Sequence, residues 1–379
     1  TIQPDGKTIR MEVAEAKYPH SDHVEMSGKM MATVLYWGID KEQKFILDRS
    51  LVFPMLRRIP NDTHGSLMIR QALDVVAQLR INNNNRLKFT TRFVEINGGM
   101  RVVEDHRGGA YGLEVDRVIF PTMEQAMMCE HYVLRNTGTI AYALQIPELN
   151  QVITTDAARG VKGSYKIVST TKGGGVYNLK PGEAVEFDLV IEGINKEQQS
   201  LAASVDVKAL LAERMNYIAH VDNNLILETP DKVIDTEFRY AKIRASESIC
   251  KTAGGYMHAP GGESYYAAIW ANDQAEYVNP FFPFTGYEVG NASALNSYRH
   301  FARFMNDEWK PIPSSIIAEG ESIWNGAGDR GDGAMIAYGA ARYALTRADK
   351  AEAEELWALI EWCLEYCRRQ VNDKGVVKS

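Results

Sequence analysis

From Ile269 to Gly286 the chain reads IWANDQAEYVNPFFPFTG. One Trp, an Asn-Asp pair, three Phe and two Pro stand within that stretch. Neither a plain helix nor a plain strand needs such a mixture. Pro280 and Pro283 each remove a backbone donor and stop a helix, so the tract reads as a rim-forming element lodged between helices. The chain before and after it follows two different grammars, and that contrast sets the expected architecture.

The helical grammar surrounds the tract. From Thr229 onward helices dominate. Thr229 is placed to cap a helix, with Pro230 at its first position. That helix is expected through DKVIDTEFRYAKIRASESI, with Val233, Ile234, Phe238, Ala241, Ala245 and Ile249 on one apolar stripe. Two more fit Asn291–Met305 and Gly333–Leu345, the second rich in small residues suited to close packing. A fourth starts at Asp349 with Glu352 as capping-box partner. Its stripe of Ala353, Leu356, Trp357, Ile360, Leu364 and Cys367 puts Trp357 in the core. The final NDKGVVKS reads as the approach to another element, so the helical half is expected to continue beyond Ser379; a short bundle complete in itself is the rival reading.

The first half reads as strands. KFTTRFVEI and RVVEDH are rich in β-branched and aromatic residues and are split by Asn97-Gly98-Gly99, a hairpin signal. INNNNRL supplies another turn, since Asn tolerates the left-handed conformation. Further strand pairs flank Asn136-Thr137-Gly138 and Lys180-Pro181-Gly182. In AVEFDLVI the alternation puts Val185, Phe187, Leu189 and Ile191 on one face. A helical pattern over GSLMIRQALDVVAQL interrupts the series. Many strands at short spacing with Gly-rich turns predict an antiparallel β-sandwich over residues 1–202. DVKALLAERMNYIAHV predicts a linker helix within 203–228, and the helical domain takes 229–379.

Composition narrows the function. The 379 residues are 45% hydrophobic and 24% charged, a globular balance at a length that favours two domains. No apolar run reaches the roughly 18 residues a membrane span needs. A net charge of −7 argues against nucleic acid, whose phosphates demand clustered Lys and Arg. Cys129, Cys250, Cys363 and Cys367 show no zinc-like pairing and read as thiols in a chain too large to need disulfide staples. The chain opens on Thr1, which fits removal of a leader and a periplasmic or secreted protein. No metal and no cofactor is expected.

Several short motifs carry little. DGKT lacks phosphate-loop spacing. Gly173–Gly175 lies between strand patterns and reads as a turn. Arg330-Gly331-Asp332 is a common tripeptide, and His20 and His23 in HSDH read as solvated. Two tracts carry more. GGESYYAAIWANDQAEY gathers Glu263, Tyr265, Tyr266, Trp270, Asn272, Asp273 and Glu276. AEGESIWNGAGDRGDGA gathers Glu319, Glu321, Trp324, Asn325, Asp329, Arg330 and Asp332. Aromatic faces stack on the C–H face of a sugar, and Asp, Asn and Arg read its hydroxyls. Loop residues serving only as caps and turns are the structural alternative. Both tracts sit just before helices, and a shared sugar pocket is expected.

On these residues the chain resembles the six-hairpin, or (α/α)6-barrel, glycoside hydrolases, with the glucoamylase-like members most similar in pattern. That family's Trp-x-Arg-Asp motif is matched by Trp270-Ala271-Asn272-Asp273, except that Asn272 replaces the Arg. Its Trp-Gly stretch leading into Arg-Asp-Gly-x-Ala is similar to WNGAGDRGDGA, with Gly331 inserted between Arg330 and Asp332. The resemblance implies a sandwich followed by part of an (α/α)6 toroid, with exo-acting, inverting glycoside hydrolysis of an oligosaccharide or polysaccharide. It also implies a general acid and base, both expected beyond Ser379. By the resemblance Asp273 is a substrate-binding carboxylate and Trp324 a stacking platform. Trp270, Asn272, Glu319, Glu321, Asp329 and Arg330 complete the candidates. Losing the Arg fork at Asn272 removes a fixed positive charge and points away from strict glucoside specificity. The alternatives are a glycoside phosphorylase of similar architecture and a non-catalytic carbohydrate-binding protein.

Overall fold

The computed structural model describes residues 1–15, 19–84, 86–263, 268–321 and 331–378. It divides into two compact units. The first takes Thr1–Leu56, Met68–Ile218 and Glu228–Phe238; the second takes Arg57–Leu67, Ala219–Leu227 and Arg239–Ser379.

The first unit is built on a large antiparallel sheet. Its eight strands run, in spatial order, Ile9–Glu12, Phe89–Ile96, Met100–Gly108, Tyr111–Pro121, Met127–Asn136, Ala184–Asn195, Tyr165–Lys172 and Asn150–Thr154. The hairpin at Asn97–Gly99 forms as the sequence reads, pairing Ile96 with Met100, and Gly98 takes a φ of 73° that a side chain would strain. Asn82 and Asn83 likewise adopt positive φ in the INNNNRL turn. A four-stranded sheet, from His20–Ser27 through Ala32–Ile39 and Phe45–Arg57 to Ser66–Gln71, lies against the eight-stranded one. A Cβ on Gly193 would fall 2.4 Å from the Phe53 ring, so the glycine makes room for an aromatic from the facing sheet.

Strands that are neighbours in sequence part company at two corners. Met127–Asn136 stays in the large sheet, but Tyr142–Ile146 joins a three-stranded sheet with Gly175–Leu179 and Arg80–Ile81. Asn136 ties both corners. Its fully buried amide donates to the carbonyls of Ile140 (3.0 Å) and Leu179 (2.9 Å) and accepts from Gly138 N–H at 2.8 Å.

Between the sheets the core contains charge. Arg49 Nε donates to Glu130 at 2.5 Å, and Arg117 meets Glu104 at 3.1 Å, all four residues being buried. Burial pushes the Glu104 carboxyl up, opposed by Arg117. The outer face of the large sheet is covered too: Phe120, Met127, Cys129, Val168, Val190 and Ile194 pack with Ala202, Val207 and Leu210. Double-sided burial explains why the alternation in AVEFDLVI gives way to a continuously buried run from Leu189 to Ile194. Helix α1 (Val207–Asn223) is docked by buried Arg214, which donates to the carbonyls of Gly98 and Ser27, both at 2.7 Å.

Three expectations are corrected. GSLMIRQALDVVAQL is not a helix: Ser66–Gln71 is a strand and Val76–Gln78 a single 3-10 turn. The Asp74 carboxylate takes the Ala77 N–H at 2.9 Å and sets that turn. Helix α2 (Lys232–Glu247) is capped by Asp231, which accepts from Val233 N–H at 2.9 Å, not by Thr229. The expected stripe on α2 is not its buried face, since Val233 is 62% and Ile234 48% exposed. Its inner face is polar instead. Arg239 forms a two-pronged pair with Asp222 (2.6 and 2.9 Å), and Lys242 donates to the Val221 carbonyl at the end of α1 (3.0 Å). Cations at a helix C-terminus answer its dipole and its orphan carbonyls.

The second unit's core joins a short α3 (Phe282–Thr285), α4 (Glu288–Ala302), α5 (Asp332–Arg347) and α6 (Lys350–Arg369). Asp349 caps α6 through the N–H groups of Ala351 and Glu352, as the sequence suggests. Glu352 does not reach back to close a capping box. It accepts from Tyr343 Oη at 2.7 Å. Helix α6 buries Leu356, Leu359, Ile360, Cys363 and Tyr366, a stripe rotated from the expected one. Trp357 is therefore 60% exposed rather than core. Trp362 does the packing, stacked between Trp309 and Tyr366 at centroid distances of 5.4 and 5.5 Å.

Candidate functional site

The tract that opens the sequence argument forms a short ribbon and an unusual helix. Ala268–Trp270 pairs antiparallel with Ser315–Ile317, Trp270 facing Ser315 and Ala268 facing Ile317. Ile269 and Ile316, fully buried, pin that register to the core of the second unit. The chain then leaves the ribbon and widens into a π-helix, Asp273–Val278, whose wide turn is closed by Asn279 N–H on the Gln274 carbonyl at 2.9 Å.

Local chemistry accounts for the widening. Pro280 has no N–H to give the Glu276 carbonyl, the bond an α-helix would require. That carbonyl accepts from Arg342 Nη1 on α5 at 3.2 Å. The π-helix and α5 touch backbone to side: a Cβ on Gly339 would lie 1.8 Å from the Ala275 carbonyl oxygen. Pro283 falls in the first turn of α3, where its missing donor costs nothing. Phe282 is fully buried, with Gly290 fitted against its ring, whereas Phe284 is exposed. Phe281 and Phe284 line an open cavity of about 370 Å³ with Glu276, Tyr277, Tyr338 and Arg342.

At the head of the π-helix stand three candidates. Trp270 and Asp273 are half-buried and Asn272 is exposed. Asn272 sits at the N-cap without a side-chain capping bond. Burial pushes the Asp273 carboxyl above the usual carboxylate range, opposed only by a backbone N–H. A residue that sequence reasoning missed packs against the buried Gln274 of the same π-helix. His258 ends the strand Gly255–His258, and Gln274 Nε2 donates to its carbonyl at 2.9 Å and faces its Nδ1 at 3.4 Å. Its ring meets Phe282 edge-on at 5.9 Å. Burial first, and the nearby Arg244 charge second, push the His258 pKa down to about 3. Nothing in GGYMHAP marks this histidine as special; only the pairing with Gln274 does.

Glu319 and Glu321 lie elsewhere. They belong to the turn that follows Ser315–Ile317, closed by Ile317 N–H on the Glu321 carbonyl at 2.9 Å. The antiparallel register carries this turn to the opposite end of the ribbon from Asn272 and Asp273. Arg57 Nε donates to Glu319 Oε1 at 2.7 Å. Glu319 Oε2 is buried and accepts no hydrogen bond among the described residues. Glu321 is exposed. Gly320, at φ 83°, brings the turn against Gly254, and Arg303 Nη2 holds its carbonyl at 2.7 Å. Trp324, Asp329 and Arg330 lie outside the described residues, as do Tyr265 and Tyr266. Asp332, 6% exposed, opens α5. Among the described residues no three His, Cys, Asp or Glu side chains converge as a metal site, and no helix is long and apolar enough to cross a membrane.

No family model matches the chain, and no curated protein matches it. It is similar in structure to a protein described as "Putative kojibiose phosphorylase from human microbiome", with a TM-score of 0.54 and 10% identity. The alignment covers 90% of this chain and 56% of that one, so the chain spans little more than half its neighbour's length. At that identity the likeness is one of fold: a large antiparallel sheet followed by helices. A bacterial glucoamylase solved with acarbose aligns over 97% of this chain and 70% of its own at 11% identity, but its TM-score of 0.39 carries no argument.

Proposed function

We propose that the chain belongs to a carbohydrate-active enzyme of six-hairpin glycosidase-like fold. In this reading the first unit is a β-sandwich and the helices of the second form part of an (α/α)6 toroid. The observation that carries it is the Trp270–Asn272–Asp273 group at the head of the π-helix, a half-buried ring beside a half-buried acid and an exposed amide. The Trp270 face would stack on a sugar ring, Asp273 would accept from hydroxyls, and Asn272 would both give and accept. The chemistry we assign is exo-acting, inverting hydrolysis: one carboxylic acid protonates the leaving oxygen while a carboxylate on the opposite face activates water. That pair is not assigned to residues described here.

A second reading, phosphorolysis, is favoured by the description of the fold neighbour at TM-score 0.54. In that reading inorganic phosphate replaces water and the product is a sugar phosphate. Incubation with kojibiose and with maltose, with and without inorganic phosphate, separates the two. Glucose release without phosphate supports hydrolysis, and sugar phosphate formed only in its presence supports phosphorolysis. Failure of either disaccharide to bind would remove the carbohydrate reading.

A further inference from the structure

We propose that the strand Asn150–Thr154, at the open edge of the eight-stranded sheet, is a docking site for an extended peptide segment of a partner protein. The segment pairs with it as an added strand, apolar in its middle and basic at both ends. This concerns the first unit alone and is independent of the carbohydrate reading.

The two edges of that sheet are finished differently. At one, Ile9–Glu12 is met by the chain's own start: Ile2 bridges to Ile9, and Arg10 N–H donates to the Thr1 carbonyl at 2.8 Å. Arg10 and Glu12 also place charge on that strand. At the other edge Asn150–Thr154 pairs, among the described residues, only with Tyr165–Lys172, and all five of its residues are exposed. The inner bonds fix the direction of every backbone group. Thr171 N–H donates to the Leu149 carbonyl at 3.0 Å, and Thr155 N–H to the Tyr165 carbonyl at 2.9 Å. Bonded residues alternate in an antiparallel ladder, so the backbone groups of Leu149, Gln151, Ile153 and Thr155 turn inward. Those of Asn150, Val152 and Thr154 turn outward, a template for one more strand. The usual guards of an edge do not stand there: Leu149–Thr155 reads LNQVITT, with no charge and no Pro.

The side chains supply the rest. Asn150 and Val152 share a face with Val168 and Thr170 by register, and together these line an open cavity of about 720 Å³ with Ile194 and Ala203. Alternate side chains of an added strand would lie against Val152, 54% exposed, on this face and against Ile153, 41% exposed, on the other. Charge then names the partner. Glu148 and Asp156, both exposed, bracket the uncharged run. Lys166, which also lines the cavity, is engaged by the Lys196 carbonyl at 2.8 Å. A second copy of the chain fits poorly. Antiparallel pairing of two copies about Val152 engages all three outward residues, but it sets Glu148 of each copy opposite Asp156 of the other. Like charges directly opposite destabilise a strand pair. A segment with Lys or Arg at both ends meets the same two acids with attraction.

The test uses the full chain and a fluorescent synthetic peptide of about nine residues, alternating Thr and Val between terminal lysines, to match the run from Glu148 to Asp156. Anisotropy should show saturable binding that weakens about tenfold or more when the terminal lysines are replaced by glutamates. Val152→Pro removes an outward N–H and leaves the inner ladder bonds in place, so it should abolish binding with little change in melting temperature. Should that variant misfold, Glu148→Gln combined with Asp156→Asn decides the matter. It removes both charges, keeps the cap acceptor at position 156, and should weaken binding of the lysine-ended peptide about tenfold. Amide hydrogen exchange should slow at Asn150, Val152 and Thr154 when the peptide binds. No binding, equal binding of both peptides, or binding unchanged in the charge-neutral variant would overturn the proposal. A wild-type dimer in sedimentation velocity that Val152→Pro dissociates would assign the edge to a second copy and overturn it too.

Discussion

Asp273 and His258 are both held against their ordinary protonation behaviour, and the signs are opposite in kind. Burial raises the folded-state pKa of Asp273, so its ionised form costs stability as pH rises through that value. Asp273→Asn should therefore melt higher than the native chain at pH 7, with the gap closing by about pH 3, below the unfolded carboxyl's range. Sugar binding should be lost in the same variant, a trade of stability for function. An unchanged or lower melting temperature at pH 7 would show that the carboxylate supports the π-helix instead. For His258 the folded pKa is depressed to about 3 from 6.5. The unfolded ring takes a proton that the folded ring refuses, so this group costs stability as pH falls from about 6.5 toward 3. Arg244 is the charge that adds to burial there. Melting temperatures of His258→Gln should fall less steeply over that window than those of the native chain.

Elements are shaped by single atoms in several places. The π-helix owes its width to Pro280 and its neighbour to Gly339, which lets α5 reach the Ala275 carbonyl. Gly339→Ala must push backbone from backbone, so a loss of about 3 kcal/mol or more is expected, the upper end for overpacking. Urea unfolding would measure it, and a shift near zero would mean that α5 slides freely. Arg342→Ala exposes the Glu276 carbonyl to water at the surface, so a loss under about 1 kcal/mol is expected. In the first unit Asn136 performs a buried task that no hydrophobic residue can take over. Asn136→Leu should lose about 2–4 kcal/mol by orphaning the Ile140 and Leu179 carbonyls and the Gly138 N–H. The same experiment checks it.

At the scale of the whole molecule both units bury charge in pairs. The first sets its ion pairs between its sheets; the second holds Arg239 on Asp222, beside a core of apolar side chains among its helices. Removing one partner of a buried pair leaves an uncompensated charge, whereas removing both need not cost. Arg49→Met alone and Glu130→Leu alone should each lose about 3–5 kcal/mol, and the double variant should recover much of the loss. A double-mutant cycle by denaturant unfolding reads the coupling directly. Additive losses would show that the charges are satisfied separately, Arg49 by the Leu73 carbonyl and Glu130 by Tyr132.

Local signals in the chain were enough for its hairpin turns, for the strand series of the first half, for the Asp349 cap and for the helices around Asp332–Arg369, because turn residues and period are properties of neighbours along the chain. Trp270, Asn272 and Asp273 were marked as candidates by type and spacing, and the structure sets them at the head of a π-helix that no local pattern announced. Tertiary structure alone decided the rest. Strands flanking Asn136 went to different sheets because pairing is settled by distant partners. Helix α2 buried Arg239 and Lys242 because α1's end offered Asp222 and open carbonyls. Glu319 and Glu321 went to the far end of the ribbon because an antiparallel register reverses one strand against the other. His258 met Gln274, sixteen positions away, only when the strand and the π-helix were folded together. Contacts of that kind depend on where chain segments meet, which no local period records.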